Sequence, residues 1–369
     1  VALTNVDAVN LTVAITAKLL NPGLKVMCRG ESHEVEANMR SFGTDAVIDP
    51  YDSFASHLAL ALHFPFLHRL TDRLADITGH HQGTSTDPPR GQWVLCGFGR
   101  FGKAIYKRLQ YEGIPTSIVD PSPEAIAHEE NGVVGRGTEV IALRAAQVDK
   151  AVGIVAGTHD DASNLSILVT ARELNPKVFT VARQNRRCNQ PIFDAVHADI
   201  VMRKGEIVAE RIRVMLTMPF LTEFLRAIRG EREPWAEELL DRINALVGDN
   251  PLRVWEVTLE RDQAHAVEAA LAAGTEVLLS HLMADMTDRD RRLTCLPLML
   301  WRGEERLVLP VPETALAIKD GLLFCGTSRA ARAMAWTLQN NVVLRYILSG
   351  ETRPQGTLWR WLANYKQPA

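Results

Sequence analysis

Gly97, Gly99 and Gly102, with Arg100 between them and Asp120 beyond, are the residues of this chain whose types and spacing most readily do chemistry. The spacing G-x-G-x-x-G lets a backbone turn tightly and approach a pyrophosphate, while the helix that follows offers free N–H groups to the anion. Asp120 stands 18 residues after Gly102, where a carboxylate can accept hydrogen bonds from ribose hydroxyls and repel a 2′-phosphate. The pattern therefore favours NAD or an adenine nucleotide (ATP, ADP or AMP) over NADP.

Such a site needs a strand, a glycine turn, a helix and a second strand, and the sequence supplies them in order. Val94, Leu95 and Cys96 form a short apolar run, Ala104, Ile105 and Leu109 have helical spacing, Gly113 is a stop, and Ser117 to Val119 lead to Asp120. Further on, strands are expected at Gly132–Gly135, Ala151–Ala156, Val178–Ala182 and Ile200–Met202, with helices near Glu139–Gln147 and Asp161–Leu174. Alternation of this kind predicts an α/β fold, a doubly wound parallel sheet covered on both faces. Gly99, Asp120, Gly135, Thr158 and Arg183 would converge at the carboxyl ends of its strands.

The chain also repeats itself. At an offset of 154 residues, Thr4 meets Thr158, Asp7 meets Asp161, Asn10 meets Asn164 and Leu20-Asn21-Pro22 meets Leu174-Asn175-Pro176. Arg29 meets Arg183, Asp45 meets Asp199, and Pro65-Phe66-Leu67 meets Pro219-Phe220-Leu221, all without a gap. Residues 1–72 thus correspond to the second half of the later unit. The first copy's own glycine turn is expected upstream of Val1, in a longer protein.

Composition sets limits. The chain has 369 residues, 46% apolar and 23% charged, which is ordinary for a globular protein of two or three domains. A net charge of −3 with no basic block gives no footprint for nucleic acid. Five scattered cysteines, none in a CxxC pair, suggest neither a disulfide framework nor a zinc site and fit a reducing compartment. The apolar window Phe54–Leu70 is broken by His57, His63, Pro65 and His68, so the chain reads as soluble. Thr78–Gly91 reads as a polar linker, and its His80-His81 pair lacks the carboxylate or cysteine that a metal site would add.

From Glu206, apolar residues at helical spacing run to Leu225 with Pro219 in the middle, predicting a helix-turn-helix arm. The first copy keeps an equivalent arm at Ala55–Leu70. Each packs either on its own sheet or across to a second subunit. A smaller domain follows, with strands at Arg253–Leu259, Leu293–Trp301, Arg306–Pro310 and Gly321–Cys325 and a helix at Val267–Ala273. The last stretch, with Trp336, Trp359 and Trp361, shows no pattern tied to chemistry.

Together these residues resemble the RCK (regulator of K+ conductance, or KTN) domains, which form cytoplasmic gating rings on potassium channels and transporters. The likeness rests on residues 97–102 with Asp120, on the run from Thr158 through Asp161, Asn164 and Asn175-Pro176 to Arg183, on the arm, and on residues 308–327. It covers residues 1–72 and 93–330. It implies Rossmann-like RCK N-lobes in tandem: the first, incomplete at its N-terminus, at 1–72, a linker at 73–92 and the second at 93–230. A small α+β C-lobe at 231–330 and a tail at 331–369 would follow. In the family's terms Gly97, Phe98, Gly99, Arg100, Phe101 and Gly102 face the phosphates and Asp120 with Pro121 the ribose. Gly157, Thr158, His159 and Asn164 form the second half of the site, and Arg183 returns to the phosphates.

The resemblance also implies a homo-oligomeric ring at the cytoplasmic face of the inner membrane, joined to a channel pore or transporter subunit. The family places an acid beside the adenine where this chain has Arg136, followed by Gly137 and Thr138, a difference that alters which nucleotide binds or abolishes binding. No C-lobe separates the copies, as in a channel's tandem module. Two other readings stay open at this point: an NAD-dependent oxidoreductase, with His159 and Arg183 near the right strand ends, and a stand-alone peripheral Trk-type K+ uptake subunit. No catalytic residue and no metal site is expected. Asp161 should start a helix, Asp160 should be solvated, and neither they nor Glu206 should hold Ca²⁺.

Overall fold

Apolar side chains on both faces of short β-branched runs dictate strands buried between helices. The computed structural model describes residues 1–75, 87–248 and 250–350, so His80, His81, Trp359 and Trp361 lie outside the described residues. Two units make up the chain, Val1–His68 with Thr84–Arg213 and Arg69–Gly83 with Val214–Ala369, the division falling inside two helices.

The first unit begins with α1 (Asp7–Leu20), β1 (Met27–Arg29), α2 (His33–Ser41), β2 (Ala46–Ile48), α3 (Pro50–His63) and the start of α4 (Pro65–Ala75). β1 and β2 pair in parallel, and Ala2 bridges Cys28 on the other side of β1. After the linker come β3 (Trp93–Cys96), α5 (Arg100–Tyr111), β4 (Thr116–Asp120), β5 (Gly132–Val134) and α6 (Val140–Ala145). β6 (Gly153–Ala156), α7 (Asp161–Leu174), β7 (Phe179–Gln184), α8 (Gln190–Val196), β8 (Ile200–Arg203) and α9 (Lys204–Thr217) complete the run. The six strands form one parallel sheet in the order β5-β4-β3-β6-β7-β8, with β3 and β6 wholly buried. α6 is shorter than expected, because Gln147 just beyond it takes a left-handed φ of 60°.

The duplication is visible in the hydrogen bonds. Asn10 and Asn164 are both fully buried. Asn10 Nδ2 donates to the carbonyls of Thr4 and Arg29, each at 3.0 Å, and its Oδ1 accepts from Thr4 N at 2.8 Å and Oγ1 at 2.9 Å. Asn164 repeats all four contacts with Thr158 and Arg183 at 2.7–3.1 Å. Asp45 accepts from Val26 N as Asp199 does from Thr180 N, and Asp7 accepts from Glu31 N as Asp161 does from Asn185 N. α1 and α7, and likewise α3 and α9, share bounds at the same offset.

In the first copy's arm, α3 packs on a helix of the second copy. Tyr51, Phe54, Ala55, Leu58 and Leu62 of α3 enter one core with Phe101, Ile105, Tyr106 and Leu109 of α5, the helix after the second copy's glycine turn. Arg108 adds a hydrogen bond of 2.8 Å to Asp52.

The second unit holds α10 (Pro219–Ala227), α11 (Glu233–Val247), β9 (Arg253–Thr258), α12 (Arg261–Ala272), α13 (Leu279–Leu282), β10 (Ala284–Asp285) and β11 (Asp288–Arg292). β12 (Cys295–Arg302), β13 (Glu305–Val308), β14 (Gly321–Gly326), α14 (Ser328–Gln339) and α15 (Asn341–Ser349) follow. Four strands form an antiparallel sheet in the order β13-β12-β14-β9, and β10 pairs with β11. Phe220 of α10 lies against Gly321, where a Cβ would come 2.5 Å from its ring, and 5.2 Å from the Trp301 ring. Leu221 N donates to Glu256 at 2.8 Å. The stretch after residue 330 that lacked a pattern contains most of α14 and all of α15, whose Met334, Leu338 and Leu344 join the core of this unit.

Candidate nucleotide site

β3 lies between β4 and β6, so the strand order reverses at its carboxyl end and leaves a crevice there. The turn that follows is held by contact. Gly97 has φ 96°, and a Cβ on it would sit 3.2 Å from the backbone of Gly157 and Thr158. A Cβ on Gly102 would lie 2.0 Å from the Gly97 carbonyl oxygen. Over Gly99 there is room: a Cβ there meets no heavy atom within 4 Å. Open space above Gly99, beside first-turn N–H groups of α5 that have no intrahelical acceptor, fits a pyrophosphate.

Asp120, at the end of β4, has two tasks. Its Oδ2 accepts from Phe98 N at 2.7 Å and its Oδ1 from Ser122 N at 2.9 Å, which ties the glycine turn to the strand. Each oxygen keeps a lone pair for a ribose hydroxyl. Pro121 is exposed next to it, as are Arg136 and His159, while Thr138 is half-buried. Gly137 and Gly157 are packing glycines: a Cβ would lie 2.8 Å from Cys96 Sγ in one case and 2.9 Å from Phe101 in the other.

Several of the expected site residues carry packing and loop contacts of their own. Phe98 and Phe101 are buried, and the Phe101 ring lies 5.8 Å from Tyr51 and 5.7 Å from Phe54. Asn164 spends its amide on Thr158 and the Arg183 carbonyl, so it shapes the loop from below. Asp160, not Asp161, caps α7 by accepting from Ser163 N at 2.8 Å. Asp161 is buried and accepts from Asn185 N, Arg186 N and Asn189 Nδ2, fastening the loop after β7; these donors hold its carboxyl below the ordinary range despite burial.

Arg100 and Arg183 turn toward the first copy. The Arg183 guanidinium carbon is 5.1 Å from the Tyr51 ring centroid, and that of Arg100 is 6.0 Å from it. Arg100 Nη2 is 3.1 Å from Glu31 Oε2, and Lys204 Nζ is 2.7 Å from Glu31 Oε1 and 5.3 Å from the Tyr51 centroid. Arg29 also pairs with Glu31. Burial pushes the Glu31 carboxyl up, but hydrogen bonds and charge from Lys204 and Arg29 outweigh it and hold it below its usual range.

The same stretch of sequence, residues 93–204, matches the TrkA-N domain family. Similar proteins include probable potassium channel protein 2 of Methanocaldococcus jannaschii, 30% identical over 155 residues, 39% of this chain and 45% of that protein. Potassium channel protein 1 of the same organism is 25% identical over 45% of this chain and 48% of its own length. The Trk system potassium uptake protein TrkA homolog of Pyrococcus abyssi is 29% identical over 34% of this chain and 60% of its own length. The chain thus spans about half the length of the potassium channel relatives it matches. Among solved structures, the GsuK channel bound to NAD aligns over 93% of this chain and 67% of its own, at 17% identity and a TM-score of 0.47.

Glu31 and Tyr51 stand between Arg100 of the glycine turn and Lys204, and none of Glu31, Tyr51 and Lys204 was among the residues expected from sequence. One signal for Glu31 was present: at the offset of the repeat it aligns with Asn185, so a carboxylate stands where the other copy is neutral.

Proposed function

We propose that the chain is a cytoplasmic regulatory module of a potassium channel or transporter, a gating-ring element that binds NAD(H) or an adenine nucleotide and couples occupancy to ion conduction without catalysing a reaction. In this reading residues 1–72 and 93–230 are tandem N-lobes joined by 73–92. Residues 231–330 are a C-lobe followed by the tail at 331–369, the partner is a membrane pore subunit, and the module forms a homo-oligomer at the inner face of the membrane. The observation that carries it is the open glycine turn braced by Asp120, within a domain related to potassium channel and Trk proteins. The backbone at Gly99 and α5 binds phosphate, Asp120 orients the ribose, and Arg100 and Arg183 supply positive charge at the mouth. The ligand itself brings a polyanion with a flat base, and no bond to it is made or broken. A coupling of about 1–3 kcal/mol between occupancy and ring conformation is the usual scale.

Thermal unfolding with excess NAD, NADH, ATP, ADP and AMP tests this. Binding at ~100 times Kd stabilises by about 2.7 kcal/mol, so at least one ligand should raise Tm by several degrees. Gly99→Val should remove the rise. Unchanged melting with all five ligands refutes nucleotide control at this turn.

A further inference from the structure

We propose that Glu31 is a built-in competitor for the phosphate end of this site, so that a nucleoside diphosphate binds the second copy's glycine turn by displacing the first copy's carboxylate from Arg100 and Lys204. The inference rests on the nucleotide reading above. Glu31 is buried and ionised, reaching Lys204 at 2.7 Å and Arg100 at 3.1 Å. Arg100 is the first residue of α5, at the glycine turn, and Lys204 the first of α9, at the carboxyl end of the edge strand β8; Glu31 and the Tyr51 ring stand between the two cations.

The backbone turn at this place forms without a carboxylate in the second copy. Glu31 N donates to Asp7 at 3.0 Å, and at the equivalent place Asn185 N donates to Asp161 at 2.6 Å. The backbone is the same while the second copy carries a neutral side chain. A charged group added at one of two equivalent positions, and aimed at cations beside a phosphate-binding turn, acts on that turn. A diphosphate is a stronger acceptor for Arg100 and Lys204 than a single carboxylate, because it offers more charge and more oxygens. Once it binds, Glu31 keeps Arg29 alone, and the β1–α2 loop loses its tie to the second copy. Occupancy is thereby converted into a loosened contact between the repeats.

The test is calorimetric titration of ADP into the full chain and into Glu31→Gln, with hydrogen exchange of residues 27–33 followed in the wild type with and without ADP. Glu31→Gln should bind at least tenfold more tightly, since loss of even one of the two competing charged contacts is worth about 1.5 kcal/mol. ADP should speed exchange across the β1–α2 loop of the wild type, a readout that needs no variant to fold. If the wild type binds ADP but Glu31→Gln binds no more tightly, or if ADP leaves the loop's exchange unchanged or slower, the displacement is refuted while the nucleotide reading stands. If neither protein binds ADP, NAD or ATP, the nucleotide reading itself fails and this inference with it.

Discussion

Asn164→Ala would remove one buried carboxamide that joins the loop after β6 to β7. Its four contacts are with Thr158 N, Oγ1 and O and with Arg183 O. After truncation the hydroxyl can still turn to the Asp160 carbonyl, 3.0 Å away. The Thr158 N–H and the Arg183 carbonyl have no such recourse, and an unsatisfied buried group costs about 1–3 kcal/mol. Two such groups give a loss of ~2–6 kcal/mol, a large share of a domain's total stability. Because Asn10 makes the same four contacts in the first copy, Asn10→Ala should cost a similar amount. Hydrogen exchange read by mass spectrometry separates the two. Asn164→Ala should accelerate amides at 153–158 and 181–185 by roughly two orders of magnitude, at about 1.4 kcal/mol per factor of ten, and Asn10→Ala should do so at 27–31. Wild-type exchange in either variant would refute the view that these asparagines hold the loops at the strand ends. Acceleration in one alone would break the equivalence of the repeats.

Other expectations follow from the same geometry. Gly102→Ala should destabilise the first unit by more than about 2 kcal/mol in urea unfolding, because its Cβ would lie 2.0 Å from the Gly97 oxygen, whereas Gly99→Ala should be nearly neutral in stability. Phe101→Ala should cost about 3–5 kcal/mol, since the ring is fully buried between α3 and α5, and a Tm within a degree of wild type would contradict that packing. Burial pushes the Glu256 carboxyl from 4.5 up to about 7, against donation by Leu221 and Phe220 N–H. A raised acid favours the folded state when protonated, so this contribution is complete below pH 4.5 and is lost as pH rises through about 7. Glu256→Gln should flatten that part of the Tm-against-pH curve for the second unit, and an unchanged curve would show that Glu256 does not set it.

Much of the sheet could be read from the chain because its strands are short apolar runs between periodic helices; α7 matches its expected bounds of Asp161–Leu174. The repeat was legible because paired identities fall on residues that do the same backbone work, Asn10 with Asn164 and Asp45 with Asp199. Asp161 does begin α7 and Asp160 is exposed, as expected, but the carboxylate that caps the helix is that of Asp160, because adjacent carboxylates look alike until the loop after β7 closes over one of them. α14 and α15 were missed: with Trp336 exposed and Met334 buried, the bulky residues do not mark the core side. Phe98 and Phe101 looked like part of a ligand loop because they sit inside the glycine pattern, yet the α3 helix claims Phe101 from outside. The pairing of Glu31 with Lys204 joins positions 173 residues apart, and no local pattern announces it.

Laying α3 upon α5 has a consequence for symmetry. Identical subunits meeting across a twofold axis must present the same residue on either side, and their union weakens on dilution. Here both sides belong to a single polypeptide, so the union is intramolecular and each side is free to diverge. Glutamate at one position and asparagine at its counterpart is the kind of inequality that a homodimer is forbidden and a duplicated chain can keep.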